Sequence, residues 1–379
     1  AAARVEEARA ARRGAEANLM PEITAGGDAS RGNQGFATNN QAIGLGEANV
    51  QASWELDLFG KNQARAAQAE AIVESAEARR QAVLVTLLAD VARNYFDLRD
   101  EEHQIAITEK NLATQQRTLA LIQAQQQGAL ASNLDIERTT AQVATTSAQL
   151  PALRAARDVT LDRLNVLIGV APGTEDAALT AGGAWRPLAP TMLVAAPASV
   201  LANRPDIRAA ERDFAASLSA SEAARKEIFP TISLTGLFGI QQSSLFGATP
   251  WGAGASAAAP LLDFGRIEAD IDTADARQKQ AFLTYQTTVL EGLEDMEDSL
   301  SLYAHEASRK HELERAAEGD HKAVELADQQ YKAGYTGLLD LLVAQRDELA
   351  AEASLAASEA LLRKDLVRIY AAAGGGWRL

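Results

Sequence analysis

The sequence lacks several features on which whole classes of protein depend. It contains no cysteine, which excludes disulfides and thiolate metal sites, and only 5% of its residues are aromatic. Its net charge of −15 argues against a nucleic-acid-binding protein, because such proteins carry a basic surface. No apolar run reaches the roughly 18 residues that a transmembrane helix needs, so none is predicted.

Proline is also missing from two very long stretches. Residues 61–127 contain neither proline nor glycine, and residues 266–333 contain glycine only at Gly292 and Gly319. A helix over the first stretch would be about 100 Å long at about 1.5 Å per residue. Because no compact domain of this size holds such a rod, we expect an elongated chain whose rods pack on each other or on partner chains.

The same landmarks occur twice along the chain. Asp57 and Asp263 close two strand-like runs, and each is followed by a Phe-Gly pair and a long proline-free stretch. Each stretch stops at a glycine-containing turn, at Gly128 and at Gly334. The two aspartates and the two glycines are separated by the same number of residues, which predicts a pseudo-symmetric pair of structural repeats.

The predicted organisation is two repeats joined by an irregular connector that forms a small side domain. Their bounds are 1–168 for the first repeat, 169–203 for the connector, 204–373 for the second repeat and 374–379 for a tail. After an initial helix, each repeat contains a β-hairpin (22–59 and 231–264), a long helix (61–127 and 266–333) and a return helix (133–168 and 338–373). Residues 32–45 and 241–250 are predicted loops. Pro151 should kink or break the first return helix.

The four predicted strands alternate between apolar and polar residues. In the second strand the apolar residues are Val50, Ala52, Trp54, Leu56 and Leu58, and the polar ones are Asn49, Gln51, Ser53, Glu55 and Asp57. Strands of about 10 residues can cross a bilayer when tilted, with one face toward lipid and the other toward a lumen. The aromatic residues near the strand ends suit a membrane interface: Trp54, Phe59, Phe229, Trp251 and Phe264.

Alternation alone also allows two soluble hairpins half-buried on the helices. The strands are small and rich in small residues, however, so they could not form a soluble core. An open four-stranded sheet cannot lie in lipid with unpaired edges, so other chains must complete it. Two chains would close about 8 strands around a filled interior, and three would close about 12 around a lumen.

Six segments, in order along the whole chain, resemble a known family. They are Trp54–Lys61, Ala202–Glu211, Phe229–Leu234, Pro260–Arg266, Tyr331–Arg346 and Gly374–Trp377. The chain resembles the TolC-like outer membrane efflux proteins, in particular the lipoprotein branch that serves resistance-nodulation-division pumps. This resemblance implies a mainly α-helical fold with a small β part: a trimer with a 12-stranded barrel in the outer membrane and long coiled-coil helices forming a periplasmic tunnel.

The resemblance also implies a function. Such a trimer exports small molecules, such as drugs or metal ions, passively from a Gram-negative bacterium, with a periplasmic adaptor and an inner-membrane pump as partners. The family often carries a lipidated N-terminal cysteine. Residues 1–6 read as the middle of a helix, so we expect the natural N-terminus, with any targeting or lipidation signal, to precede this sequence. The alternative is a soluble coiled-coil scaffold without a transport role.

Candidate site residues lie at the two glycine turns. The family's constriction is carried by residues that match 338–343, so the candidates are Leu339, Asp340, Val343 and, from the other turn, Asp135. Acidic residues there would form a cation-selective or closing ring, or would only stabilise helix N-termini. Leu339 would be a hydrophobic collar or ordinary coiled-coil packing. Several family members carry an acid where this chain has Val343, so we expect a more apolar gate.

The tips themselves are expected to contact the adaptor. The residues concerned are Gly128, Ser132, Gly334 and Gly337. The glycines at 128 and 334 are also explained as turn residues that supply positive φ, and both explanations can hold.

No motif for catalysis, a cofactor or a metal is present. The four histidines, His103, His305, His311 and His321, form no pair at helical spacing, and we expect them on solvated helix faces. The glycine-rich segment at 252–255 is not followed by the Lys-Ser/Thr of a phosphate loop. We therefore predict no enzymatic activity, no cofactor and no metal site.

Overall fold

The computed structural model describes residues 1–33, 42–128, 131–174, 179, 203–243 and 247–375. The helices are α1 (Ala2–Ala17), α2 (Lys61–Gln127), α3 (Asn133–Leu167), α4 (Pro205–Arg225), α5 (Arg266–Lys332) and α6 (Leu338–Ala372). The strands are β1 (Glu22–Asn33), β2 (Ala42–Leu56), β3 (Thr231–Ser243), β4 (Gly247–Ala248) and β5 (Trp251–Ala258). The predicted fold class, mainly α with a small β part, is confirmed. Among the described residues, none of the helices has the length and apolar character required to cross a membrane.

The chain divides into two compact units. The first, called here the strand unit, consists of Ala1–Val83 and Pro205–Glu291, and the second, the tip unit, consists of Leu84–Arg204 and Gly292–Leu379. This division by compactness differs from the division into repeats, because each predicted repeat contributes to both units.

The strand unit contains one antiparallel sheet. Its strand order is β1-β2-β3-β5, and the short β4 pairs with β3. Partners across a ladder point to the same face, and Val50 lies opposite both Ala25 and Phe238. Continuing this register gives one apolar face across all four strands: Ile23, Ala25, Val50, Ala52, Trp54, Leu56, Ile232, Leu234, Phe238, Trp251, Ala253, Ala255 and Ala257. The predicted faces of β2 are therefore confirmed as far as Leu56.

The first hairpin has different bounds from those predicted. The predicted loop 32–45 is partly strand, since β1 continues to Asn33 and β2 begins at Ala42. The strand β2 ends at Leu56 and not at residue 59. The chain turns there because the two carboxylate oxygens of Asp57 accept the backbone N–H groups of Asn62 at 3.0 Å and Gln63 at 2.7 Å. Asp263 accepts two backbone N–H groups at the start of α5 in the same way. The aspartates that mark the repeat are thus helix caps, and Leu58 lies beyond the strand face to which it was assigned.

The second hairpin has different bounds from those predicted. The strand β3 continues to Ser243 because it pairs with β2 as far as Leu45, so part of the predicted loop 241–250 is strand. At its other end β5 stops at Ala258, two residues before Pro260, whose missing N–H cannot continue a ladder.

The return helix α3 runs unbroken through Pro151, so the prediction of a break at this proline was wrong. An interior proline costs about 3 kcal/mol, which the remaining turns of this long helix outweigh. After it, the backbone N–H of Gly173 donates to Asp162 at 2.6 Å, and Arg99 donates to the carbonyl of Leu179 at 2.8 Å. The rest of the predicted connector, 34–41 in the first loop and 376–379 of the tail lie outside the described residues.

Small side chains and ion pairs hold the helices of the strand unit together. Its buried alanines let the helix backbones approach closely: Ala8, Ala64, Ala71, Ala78, Ala209, Ala210, Ala216 and Ala223. At the edges of these contacts Arg9 pairs with Glu77 at 2.6 Å, and Arg212 pairs with Glu74 at 3.0 Å. Burial of many small residues suits long helices that pack side by side.

Candidate functional site

The turn between α5 and α6 consists of a Schellman motif, which ends α5, followed by the N-cap of α6. Gly334 has a φ of +77°, the left-handed conformation expected of it. Its N–H donates to the carbonyl of Tyr331 at 3.0 Å, and the N–H of Tyr335 donates to that of Gln330 at 2.8 Å. Gly337 is the N-cap of α6 and supplies no side chain, so the first turn of α6 has no side-chain cap.

The turn between α2 and α3 is built differently. Ser132 and Asp135 form a capping box: the Ser132 hydroxyl accepts the Asp135 N–H at 3.2 Å, and the Asp135 carboxylate accepts the Ser132 N–H at 3.1 Å. The Ser132 hydroxyl also donates to that carboxylate at 2.7 Å. These hydrogen bonds from Ser132 lower the pKa of Asp135 below its usual value. Gly128 closes the last turn of α2 by donating to Gln125 at 3.1 Å.

An apolar cluster, called here the tip cluster, joins four helices beneath these turns. Ile122 of α2 is fully buried against Leu338 and Leu342 of α6, with Ala131, Ile136 of α3 and Tyr331 of α5 packed around them. The Tyr331 hydroxyl donates to the Gln125 side chain at 2.8 Å, which links α5 to α2 directly. Burial raises the pKa of Tyr331, and Asp135 adds to that effect. The tip cluster fixes the starts of α3 and α6 against the ends of α2 and α5.

Three of the predicted constriction residues lie together on the exposed side of α6. Leu339 is 54% exposed and Val343 is 37% exposed, and Asp340 beside them is also exposed. The opposite, buried side of the same turns carries Leu338, Leu341 and Leu342. The fourth candidate, Asp135, is not part of this group, since its carboxylate is bound to Ser132 in the cap of α3.

Sequence reasoning missed a polar set further along α6. Glu348 is buried, and its carboxylate accepts a hydrogen bond at 2.7 Å from Nδ1 of His321 on α5. Glu352 binds Lys110 at 2.8 Å and Asn111 at 3.0 Å, both on α2. His321 itself is 56% exposed, as expected of a solvated helix face, but its contact with Glu348 on the neighbouring helix was not predicted. The sequence signal for this polar set would have been Glu348 and Glu352, two acids one turn apart on the side of α6 that also carries its buried leucines.

These contacts place α6 between α2 and α5 within the tip unit. Gln345 of α6 donates to Thr118 of α2 at 3.2 Å, and Gln104 of α2 donates to the carbonyl of Ala353 at 2.8 Å. Much of the α2–α6 contact is thus polar. In the part of the chain that the structure describes, no group of three or more His, Asp or Glu residues is placed to hold a metal ion.

The sequence and fold are similar to those of known outer membrane proteins. The Outer membrane efflux protein family matches residues 1–170 and 196–375. Pyoverdine export outer membrane protein OpmQ of Pseudomonas putida is 30% identical over all of this chain and 83% of its own length. Nodulation protein T of Rhizobium leguminosarum bv. trifolii is 30% identical over 90% of this chain and 74% of its own. The solved outer-membrane channel OprN superposes with a TM-score of 0.91 at 31% identity and covers all of this chain and 86% of its own.

Proposed function

The chain belongs to the outer membrane efflux protein family and is an outer membrane channel of a Gram-negative efflux system, and on this premise we propose that three copies form a passive exit duct. The family consists of transport channels and is not an enzyme family. A soluble coiled-coil scaffold, the alternative that the sequence left open, has no support in this family. The duct is proposed to carry small molecules from a periplasmic end, formed by the two helical turns, to the outer membrane, crossed by the sheet.

The open edges of the sheet support a trimer. In the described part of the chain, β1 pairs only with β2, and the other edge strand, β5, pairs only with β3. In lipid, the unpaired backbone groups of both edges need partners, which a closed barrel supplies. Three chains with four long strands each would close a barrel of about 12 strands, wide enough for a lumen. The apolar face of the sheet would then contact lipid.

The constriction of this duct is proposed to lie at Leu339, Asp340 and Val343. In a trimer these exposed side chains would come from three copies of α6. Leu339 and Val343 are one turn apart and would form an apolar collar, and three Asp340 carboxylates beside it would favour cations. Asp135 contributes by fixing the neighbouring turn, because its carboxylate is bound to Ser132. The exposed apolar residues next to a carboxylate are the observation that carries this proposal.

An adaptor protein is the proposed partner at the turns. Gly128, Ser132, Gly334 and Gly337 form the surface that it would meet, and an inner-membrane pump, of the resistance-nodulation-division type, would supply energy. The relative OpmQ is named for pyoverdine export, a small-molecule cargo. An adaptor that binds separated tips better than packed tips would shift the population toward an open duct.

Single-channel recording in planar bilayers tests the constriction. Replacing Leu339 and Asp340 together with Ala should raise the conductance, because the collar and the carboxylate ring are both removed. Asp340→Asn alone should leave the width of the collar intact and weaken the preference for cations over anions. The matched control is Leu326→Ala on α5, where the leucine is 56% exposed, close to the exposure of Leu339.

Two results would contradict the proposal. If the double variant and Asp340→Asn both conduct like the wild-type protein, the constriction lies elsewhere. If Leu326→Ala raises conductance as much as the double variant does, loss of an exposed leucine loosens the helices in general and the effect is not local to α6.

A further inference from the structure

Two acids on α6 tie this helix to both of its neighbours at one level of the tip unit. Glu348 faces His321 of α5 at 2.7 Å, and Glu352, one turn later, binds Lys110 at 2.8 Å and Asn111 at 3.0 Å on α2. These five residues are called here the clasp. Because α6 is bound on two sides, the clasp restricts both its separation from α5 and its separation from α2.

The charges of the clasp are not balanced when His321 is neutral. Glu348 faces His321 from α6, Glu325 lies 3.6 Å from the other imidazole nitrogen on α5 itself, and Lys110 approaches from α2. Lys110 is already paired with Glu352. With a neutral imidazole, the carboxylates of Glu325, Glu348 and Glu352 therefore share Lys110 as their cation.

Glu348 is the group most affected by this imbalance. Its side chain is only 9% exposed, and a buried carboxylate is costly unless an opposite charge is in contact with it. Protonation of His321 supplies that charge directly and turns a hydrogen bond from a neutral imidazole into an ion pair with the carboxylate. The protonation state of His321 therefore changes the strength of its contact with Glu348, one of several contacts between α5 and α6.

The direction of the pH effect follows from this contact. The hydrogen bond to Glu348 raises the pKa of His321 above its ordinary 6.5, and burial opposes the rise. A group whose folded pKa is raised stabilises the folded arrangement fully below the unfolded value and loses that contribution as pH rises through the folded value. The clasp is thus strong in acid and weakens as pH rises through the raised pKa of His321.

We propose that the clasp is a positioning site for the channel constriction, and that acid strengthens it through His321. The inference rests on the proposed function, because Leu339, Asp340 and Val343 lie on the same helix as the two acids, within the few turns before them. A clasped α6 keeps its first turns in the tip cluster, which is the resting arrangement. A weakened clasp lets α6 leave that arrangement and shifts the population toward a wider duct.

The test is single-channel recording of the full chain at about pH 5 and about pH 8, on either side of the ordinary histidine pKa. Wild-type open probability should rise several-fold from the acidic to the alkaline condition. His321→Gln should remove this dependence and remain at the alkaline level. His321→Lys, with a charge that does not titrate in this range, should remain at the acidic level in both conditions.

His311→Gln is the matched control. His311 lies on the same helix, and its carboxylate neighbour, Glu314 at 4.0 Å, belongs to that helix as well, so this variant should keep the wild-type pH profile. The inference is overturned if the wild-type channel shows no pH dependence or if His321→Gln keeps the wild-type profile. It is also overturned if His311→Gln abolishes that profile.

Assembly is checked by the mass of each solubilised variant. If His321→Gln does not assemble, His321→Lys decides: open probability at pH 8 equal to the wild-type acidic level supports the clasp, and equality with the wild-type alkaline level overturns it. A wild-type protein that forms no channel at either pH would remove the proposed function, and with it the clasp. A conducting channel whose pH profile is unaffected by both substitutions removes the clasp alone.

Discussion

Two aspartates at equivalent positions of the two repeats, Asp135 and Asp340, have different surroundings in the structure. Asp135 and Asp340 lie in the first turns of α3 and α6, and from the sequence each was a candidate both for stabilising a helix N-terminus and for the constriction. The structure distinguishes them by the N-cap residue, which lies three positions before each aspartate. Ser132 completes a capping box with Asp135, whereas Gly337 has no side chain to offer Asp340. One carboxylate is therefore bound within its own turn, and the other is exposed at the surface.

The capping role of Asp135 predicts a local loss of protection. Asp135→Asn should weaken the start of α3 by about 1 kcal/mol and raise amide exchange there on the order of fivefold. Hydrogen exchange followed by mass spectrometry on peptides covering 132–139 measures this. Since the pKa of Asp135 is lowered, the carboxylate contributes above pH 3.8 and stops contributing as pH falls through its folded value. The difference between wild type and variant should shrink accordingly.

Asp340→Asn serves as the control for this prediction, because its helix has no side-chain cap at the N-terminus. It should leave exchange at 132–139 unchanged. Equal protection of wild type and Asp135→Asn would mean that the capping box adds nothing to the stability of the turn.

At the scale of elements, the two faces of the sheet depend on how the strands are paired with one another and not only on the pattern within one strand. Leu56 of β2 lies opposite Ile232 of β3, which in turn lies opposite Ala257 of β5. Each pair shares a face, so the apolar character of one strand continues across its neighbours. A shift of one residue in any ladder would place polar side chains on the apolar face. The pattern of each strand and the pairing between strands are therefore consistent with each other.

The two faces predict unequal costs for a buried charge. Ala52→Arg, on the apolar face, should destabilise the assembled channel by about 2–4 kcal/mol, because the arginine must enter lipid. Ser53→Arg, the next residue and on the polar face, should cost far less. Urea titration of protein refolded into vesicles measures both variants against wild type. Similar costs for the two substitutions would mean that these faces do not separate lipid from water.

At the scale of the whole molecule, the open sheet edges determine what this chain needs from its partners. Edge strands with unpaired backbone groups are prone to pair with other chains, and proteins usually shield or complete them. Here the edges β1 and β5 belong to the same sheet and run antiparallel to their neighbours, so copies can join edge to edge around a closed ring. Assembly would complete the backbone hydrogen bonds that a single chain leaves open.

The stoichiometry of this assembly is predicted to be three. Light scattering of the detergent-solubilised protein, with the detergent contribution subtracted, should give the mass of three chains of 40.2 kDa each. Three is expected because two chains would close only about 8 strands, whose interior is filled by side chains. A monomer or a dimer in detergent would contradict the barrel in this form.

The sequence by itself determined the long-range plan of this protein. The lack of proline in 61–127 and 266–333, with glycine only at Gly292 and Gly319, leaves helix as the regular structure available, and the structure has helices over 61–127 and 266–332. Strand faces were also readable, because period-2 alternation is a local property of the chain. The strand end at Leu56 was not, since the capping bonds of Asp57 compete with the ladder and depend on the backbone path beyond it.

Only the tertiary structure decided which side chains meet across helices. Nothing in the sequence near His321 indicates Glu348, and Glu352 is far in sequence from Lys110 and Asn111. Such pairs depend on the rotation and axial offset of helices that pack side by side, and an error of a single residue in either would separate them. The helices follow from local chemistry, whereas the clasp follows from how the packed helices are aligned.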